Sequence, residues 1–146
     1  MSNNLRSPFG LALAGSVVVT GAAFLPWFHV GSVGIDGVPD PAGYFVVAVG
    51  LTAAGLSVVG LRSARDTRQG LTLAGLAALT TLAVVWQVGP ATIASRAQAR
   101  AEAVALVDNL GVEPVPPVGA SAGLFAGMAG AVAVAAAGLT GLRRPS

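Results

Sequence analysis

Two apolar runs on either side of an arginine-rich link decide the fold of this chain. The runs are GYFVVAVGLTAAGLSVVGL (residues 43–61) and GLTLAGLAALTTLAVVWQV (residues 70–88), and the link is RSARDTRQ (residues 62–69). Neither run contains a charge, and each is close to the roughly 20 residues that cross a bilayer as a helix. The link is short enough for the second helix to return beside the first. The stretch therefore predicts a transmembrane hairpin.

Uncharged runs at residues 8–28 and 121–142 complete a set of four predicted spans. Only 10% of the 146 residues are charged, against about 25% in a soluble domain, and the mean hydropathy is +0.77. This composition argues against a soluble enzyme, a nucleic-acid-binding module and a disordered tail. It predicts one all-α integral membrane domain, with outer loops at residues 29–42 and 89–120. An alternative for the first run is a cleaved signal peptide with Arg6 as its positive region.

The arginines predict the orientation of the chain, which contains no lysine. Arg6 precedes the first span. The other arginines on that side flank the inner ends of the spans: Arg62, Arg65, Arg68, Arg143 and Arg144. Positive charge collects on the cytoplasmic side of a membrane protein. We therefore expect a multi-pass protein of the inner (plasma) membrane with both termini in the cytoplasm.

Aromatic residues near the outer ends of the spans support this orientation. Trp27, Tyr44 and Trp86 are the predicted membrane-interface anchors, because their rings favour hydrocarbon and their polar hydrogens favour water. Phe45 and Phe125 fall at the same ends of their spans. Membrane lipids are thus the first partner that the sequence predicts.

The two halves of the chain share an internal pattern. The first and third spans begin with GLALAG (residues 10–15) and GLTLAG (residues 70–75), and both end in tryptophan. The second and fourth spans begin with AGYF (residues 42–45) and AGLF (residues 122–125). These matches predict two duplicated helical hairpins in parallel orientation, related by an axis along the membrane normal. Chance similarity between helices rich in alanine and glycine is the alternative.

The second outer loop, residues 89–120, is longer than a hairpin requires. Residues 91–110 contain good helix formers in a moderately amphipathic pattern, which predicts a short helix lying on the outer membrane surface. A plain continuation of the third span is the alternative. Three prolines predict an extended segment at residues 113–118. Because connections longer than about 12–15 residues are usually functional or disordered, this loop is a candidate docking surface.

Small residues at helical spacing mark one side of the fourth span. The predicted helix-packing or partner-contact residues are Gly123, Gly127, Gly130, Ala131 and Ala135. Small residues four positions apart let two helix backbones approach closely, and membrane bundles depend on such packing. This spacing is consistent both with contact to a helix of this chain and with contact to another protein.

The four predicted spans contain no acidic or basic side chain. Ion-coupled transporters and charge-relaying enzymes usually need one within the membrane. We therefore predict no catalytic residue, no metal site and no cofactor. His29 with Asp36 and Asp40 could form a weak metal site, but the spacing matches no known ligand motif, and an interfacial histidine is the preferred interpretation. Glycines at positions 31, 34 and 37 are interpreted as turn residues, since no P-loop lysine follows them.

The motif Phe24-Leu25-Pro26-Trp27 precedes a glycine-rich loop, and an arginine-rich link follows the second span. This layout resembles the small four-span membrane proteins of actinobacteria, such as the conserved family encoded near tryptophan-biosynthesis genes. The resemblance covers the layout of the whole chain and, in specific residues, the region around Trp27. It implies four spans with cytoplasmic termini, and it carries over no activity and no functional residue.

The sequence predicts a non-catalytic accessory or structural subunit of a larger inner-membrane complex. Its expected partner is another integral membrane protein, with no nucleic acid. The small size of the chain, its uncharged spans, its small soluble mass and its small-residue helix faces favour this function. The alternative is a homo-oligomer that conducts lipid or a small solute, with the fourth span lining the pathway.

Overall fold

The computed structural model describes residues 3–63 and 66–140 of this chain. Its helices are α1 (Asn3–Ala22), α2 (Pro41–Arg62), α3 (Arg68–Asp108) and α4 (Ala122–Leu139). Each helix packs antiparallel against two neighbours in the cyclic order α1-α2-α3-α4, which makes an up-down-up-down bundle. Three helices, α2, α3 and α4, are long and apolar enough to cross a membrane, whereas the apolar part of α1, Pro8–Ala22, is shorter. The coarse prediction of a helical protein compatible with a membrane is confirmed.

The start of α2 shows how the local sequence sets a helix boundary. Oδ1 of Asp40 accepts a hydrogen bond from the backbone N–H of Ala42 at 3.0 Å. Pro41 occupies the first helical position, where its missing N–H leaves no hydrogen bond unmade. The helix ends at Arg62, beyond which the backbone of Ser63 is extended. The second predicted span therefore lies within α2.

A three-stranded antiparallel sheet corrects the all-α prediction. In the order β2-β1-β3 its strands are β1 (Pro26–Val30), β2 (Val33–Asp36) and β3 (Val118–Ala120). The first span, predicted as residues 8–28, ends early: α1 stops at Ala22, and Pro26 has no N–H to donate to the carbonyl oxygen of Ala22. Gly31, with a φ of +60°, and Ser32 form the tight turn between β1 and β2.

The second outer loop also differs from its prediction. Instead of a short separate helix within residues 89–120, α3 is one helix of 41 residues that continues through Pro90. The alternative expectation, a continuation of the third span, is therefore correct. The helix stops at Asn109, whose φ of 54° is left-handed, and the chain returns to β3 without regular structure. This return includes the prolines that predict an extended segment.

The two hairpins of the bundle, α1 with α2 and α3 with α4, do not match residue for residue as the predicted repeat requires. Trp27 lies in β1, whereas Trp86 lies within α3, so the expected structural equivalence of these two residues is wrong. Gly15 and Gly75, which the repeat would pair, both pack against α4. A two-fold axis relating the hairpins would instead set Gly75 against α2. The shared glycine motif therefore serves different helix contacts in the two halves.

The sheet covers one end of the bundle, here called the sheet end. There Trp27 and Phe28 of β1 pack in one core cluster with Leu82 of α3 and Leu124 of α4. The opposite end, which carries the connection between α2 and α3, is called the link end. A second cluster lies in the half of the bundle towards that end and includes Phe9, Ala12, Ala53 and Leu71.

Candidate functional site

The small residues of α4 lie inside the bundle. Gly127 packs against Leu82 of α3, and Gly130 packs against Gly15 and Val19 of α1. A Cβ atom at Gly130 would stand 2.8 Å from the carbonyl oxygen of Gly15. All five predicted contact positions are buried: Gly123, Gly127, Gly130, Ala131 and Ala135. Their contacts are made within this chain, which corrects the alternative in which this row of α4 binds another protein.

Trp27 is enclosed by the protein, which corrects its prediction as a membrane anchor. Its side chain is 2% exposed, and its Nε1–H donates a hydrogen bond to the carbonyl oxygen of Ala22 at 2.8 Å. The indole ring lies directly against Gly37, where any side chain would overlap it. The glycine at position 37 therefore makes room for the tryptophan. The ring therefore packs against protein atoms, and its N–H is hydrogen-bonded within the protein, without contact with lipid or water.

Tyr44 and Trp86 keep the exposure that an interface anchor needs. Both side chains are about half exposed, and so are Phe45 and Phe125. The Trp86 ring meets the Phe125 ring edge-on at a centroid distance of 6.5 Å. These aromatic side chains lie near the sheet end of the bundle, on its outward surface.

The described arginines of the predicted inner edge lie at the link end. Arg62 is exposed in the last turn of α2. The guanidinium of Arg68, at the start of α3, lies 5.8 Å from the centroid of the Phe9 ring, and its Nε is 4.0 Å from Oδ1 of Asp66. Arg65, Arg143 and Arg144 lie outside the described residues, as does the side chain of Arg6.

His29 takes part in a polar contact at the surface of the sheet. Its Nδ1 lies 3.1 Å from Oγ of Ser121, and its ring covers Gly119 on the neighbouring strand. Within residues 3–63 and 66–140, no group of three His, Asp or Glu side chains is placed to hold a metal ion. Asp40 is used as the helix cap of α2. The contact therefore links β1 to the residue before α4.

The centre of the bundle is tightly packed. Small residues from all four helices meet there, including Ser16, Gly50, Gly75 and Ala131, and they leave no room for a water molecule. The hydroxyls of Ser16 and Ser57 are fully buried, and each donates to the carbonyl oxygen four residues earlier. In the part of the chain that the structure describes, no buried side-chain polar atom lacks a hydrogen-bond partner. The centre is therefore filled by small side chains, and its buried hydroxyls bond within their own helices.

Among the described residues, the two most exposed large apolar side chains lie at the end of α3. Beyond the bundle, residues 89–108 of α3 form an extension. Large apolar side chains that are at least half exposed gather at its far end and in the return that follows; this apolar tip consists of Val104, Leu106, Val107, Leu110 and Val112. Leu106 is 83% exposed and Val107 is 84% exposed. The short surface helix predicted within residues 91–110 is instead part of the unbroken helix that continues past Pro90 and carries Leu106 to this tip.

Charged residues border the apolar tip. Arg96 and Arg100 lie one helical turn apart and are both exposed. Neither has a carboxylate within 4.0 Å among the described residues. Glu102, two positions after Arg100 and so on another side of the helix, accepts a hydrogen bond from Nε2 of Gln98 at 3.0 Å. The tip is therefore an apolar surface with two arginines on the side towards the bundle and two exposed carboxylates, Asp108 within it and Glu113 just beyond it.

Comparisons with protein-family models, with curated proteins and with solved structures found no match to this chain.

Proposed function

We propose that the bundle spans the inner membrane, with its link end in the cytoplasm and its sheet end outside. Each of the four apolar runs of the sequence has an arginine and an aromatic residue 18 positions apart: Arg6 and Phe24, Arg62 and Tyr44, Arg68 and Trp86, and Arg143 and Phe125; the second and third pairs lie within the described helices α2 and α3. In a helix this spacing corresponds to about 27 Å, close to the hydrocarbon thickness of about 30 Å. The four spacings support a fourth span through α1, with the arginines on the cytoplasmic side.

Within this membrane the chain acts as a non-catalytic accessory subunit of a larger assembly. The observation that carries this proposal is the apolar tip, because large apolar side chains exposed together on a protein commonly mark a protein contact. A structural role is supported by the packed centre of the bundle and by its buried serine hydroxyls, which are hydrogen-bonded within their own helices. The partner is a second integral membrane protein, and the docking surface is the extension with its return, within residues 89–120.

A conducting homo-oligomer is the competing function. A pathway through a single bundle has no support in its centre, which is filled by side chains from all four helices. A pathway would therefore have to lie between copies of the chain. Co-purification distinguishes such a homo-oligomer from a complex with a protein of different sequence.

The proposal is tested by co-purification from native membranes in a mild detergent. Leu106→Asn combined with Val107→Asn removes the most exposed part of the apolar tip without touching a buried side chain. Because burial of each such side chain contributes about 1.5–3 kcal/mol, we expect at least a tenfold loss of the co-purified partner. Expression and the helical circular dichroism signal should be unchanged.

The matched control is Ser95→Ala combined with Gln98→Ala, two exposed polar positions on the same extension. It should retain the partner at the level of the unchanged protein. If the Leu106 and Val107 variant keeps its partner in full, the extension is not the docking surface. If the unchanged protein purifies only as a symmetric homo-oligomer, the conducting function replaces the subunit.

A further inference from the structure

With Trp86 at the outer interface, as proposed above, the extension carries the apolar tip well away from the bilayer. Val107 follows Trp86 by 21 positions in one continuous helix, a rise of about 32 Å. The return from Asn109 to β3 spans a similar distance, about 30 Å if it is extended. A helix that lay flat on the membrane would have to break near Pro90, where α3 instead continues without interruption. Leu106 and Val107 are therefore beyond the reach of the outer leaflet.

Two sides of the extension differ in what covers them. One side contains mostly alanines that are partly or fully buried: Ala94, Ala97, Ala101 and Ala105. The other side presents Arg96, Ala99, Ala103 and Leu106 at successive spacings of three and four, which align along one helix face. All four of these residues are exposed. The small alanines leave this face narrow enough for the backbone of another helix to approach closely.

The charges on the exposed face argue for one kind of occupant. Arg96 and Arg100 lie along one edge of the alanine and leucine stripe and have no carboxylate within 4.0 Å among the described residues, whereas Glu102 lies on the other edge, four positions before Leu106. A complementary surface would bring carboxylates to the edge with the arginines and an apolar stripe to Leu106. A second copy in the same membrane would run parallel, about an axis along the membrane normal, and would set Arg96 against its own counterpart. Like charges disfavour that pairing.

We propose that the extension binds the extramembrane domain of the partner subunit, which presents an apolar helix face bordered by Asp or Glu side chains. This inference rests on the proposed subunit function. It adds the distance of the contact from the membrane and the chemical character of the partner surface. The contact lies about 30 Å outside the membrane-facing aromatic residues. The partner therefore has folded mass outside the membrane and is more than a bundle of spans.

The first experiment measures the height of the tip in vesicles of phosphatidylcholine and phosphatidylglycerol. A nitroxide is attached to a cysteine introduced by Leu106→Cys, and a control label is attached at Val84→Cys, an exposed position on the membrane-spanning part of α3. We expect the label at position 106 to collide with a water-soluble nickel reagent and the label at position 84 to collide with oxygen in the lipid. A lipid-immersed label at position 106 overturns the proposal.

The second experiment identifies the contacting segment of the partner. A photoreactive benzoylphenylalanine replaces Leu106 in the full chain in native membranes, and the cross-linked peptide is sequenced. We expect a peptide from an extramembrane domain that contains acidic residues. Arg96→Glu with Arg100→Glu should lower the cross-linking yield about tenfold, whereas Arg96→Lys with Arg100→Lys should retain it.

The possible results separate this proposal from the proposed function. A cross-linked peptide from a second copy of this chain or from a membrane span of the partner overturns the proposal. So does an unchanged yield in the charge-reversed variant, or the absence of any adduct while the partner still co-purifies. In those cases the subunit function stands. If no partner co-purifies with the unchanged protein, the proposed function itself fails.

Discussion

Substitution of Gly130 tests whether close helix packing holds this bundle together. Gly130 of α4 faces the backbone of α1, and a Cβ atom there would meet the carbonyl oxygen of Gly15 at 2.8 Å and the backbone nitrogen of Val19 at 3.0 Å. Backbone atoms cannot rotate away as the end of a side chain can. In the variant Gly130→Ala, α1 and α4 must therefore separate to restore an ordinary contact of 3.4 Å or more.

The expected magnitude follows from that separation. A shift of about 0.6 Å loses between a quarter and a half of the local dispersion energy, and overfilled cores are destabilised by about 1–3 kcal/mol. Replacing glycine by alanine within a helix gives back about 0.5–1 kcal/mol. We expect the free energy of unfolding to fall by about 1–2 kcal/mol. At Gly55 of α2 nothing lies within 4 Å of a built Cβ atom. The control Gly55→Ala should therefore be neutral or more stable by up to about 1 kcal/mol.

The two variants are compared by unfolding in mixed micelles with an increasing fraction of sodium dodecyl sulfate. The midpoint of Gly130→Ala should fall while that of Gly55→Ala stays or rises, and their unfolding equilibrium constants should differ by at least about fivefold. Equal stability of the two variants would refute the packing of α4 against α1. A loss of stability in Gly55→Ala alone would refute it as well, because it would place the tight contact on the wrong helix face.

Two further predictions concern orientation and the two tryptophans. Single cysteines introduced at Ser32 and Ser95 should react with a membrane-impermeant maleimide in intact cells, whereas one at Ser63 should react only after permeabilisation; labelling of Ser63 alone would invert the topology. In the variant Trp86→Phe, the remaining Trp27 should resist quenching by both brominated lipid and aqueous iodide because it is buried. In the variant Trp27→Phe, the remaining Trp86 should be quenched by brominated lipid, and equal quenching in the two variants would contradict the fold.

The sequence was sufficient to predict the helices but not their ends. Long uncharged runs locate α2, α3 and α4, because a helix is the simplest way to satisfy backbone hydrogen bonds in an apolar medium. The same criterion extended the first span through Phe28, since Phe24, Leu25, Trp27 and Phe28 are all apolar. Hydropathy does not distinguish an apolar strand from an apolar helix. Pro26 was the local signal that the helix ends before β1.

Which of the predicted site residues are buried and which are exposed depends on contacts between residues that are distant in sequence. Whether Gly127 and Gly130 serve this chain or another protein is decided by the position of α1 and α3, which spacing along α4 does not reveal. Trp27 can be buried because Gly37, ten residues further along the chain, leaves room for its ring. The exposure of the apolar tip could not be predicted from the sequence for a related reason. Whether Leu106 faces lipid or water depends on the path of the helix beyond Pro90.

The most direct test of the subunit function is the mass of the unchanged protein when it is extracted from native membranes in polymer-bounded lipid discs. Extraction without detergent retains weak contacts between membrane proteins. The account predicts a particle that contains this chain and a protein of different sequence in a fixed ratio, with folded mass of the partner outside the membrane. A particle that contains only this chain, as a monomer or as a symmetric ring, would contradict the proposed function.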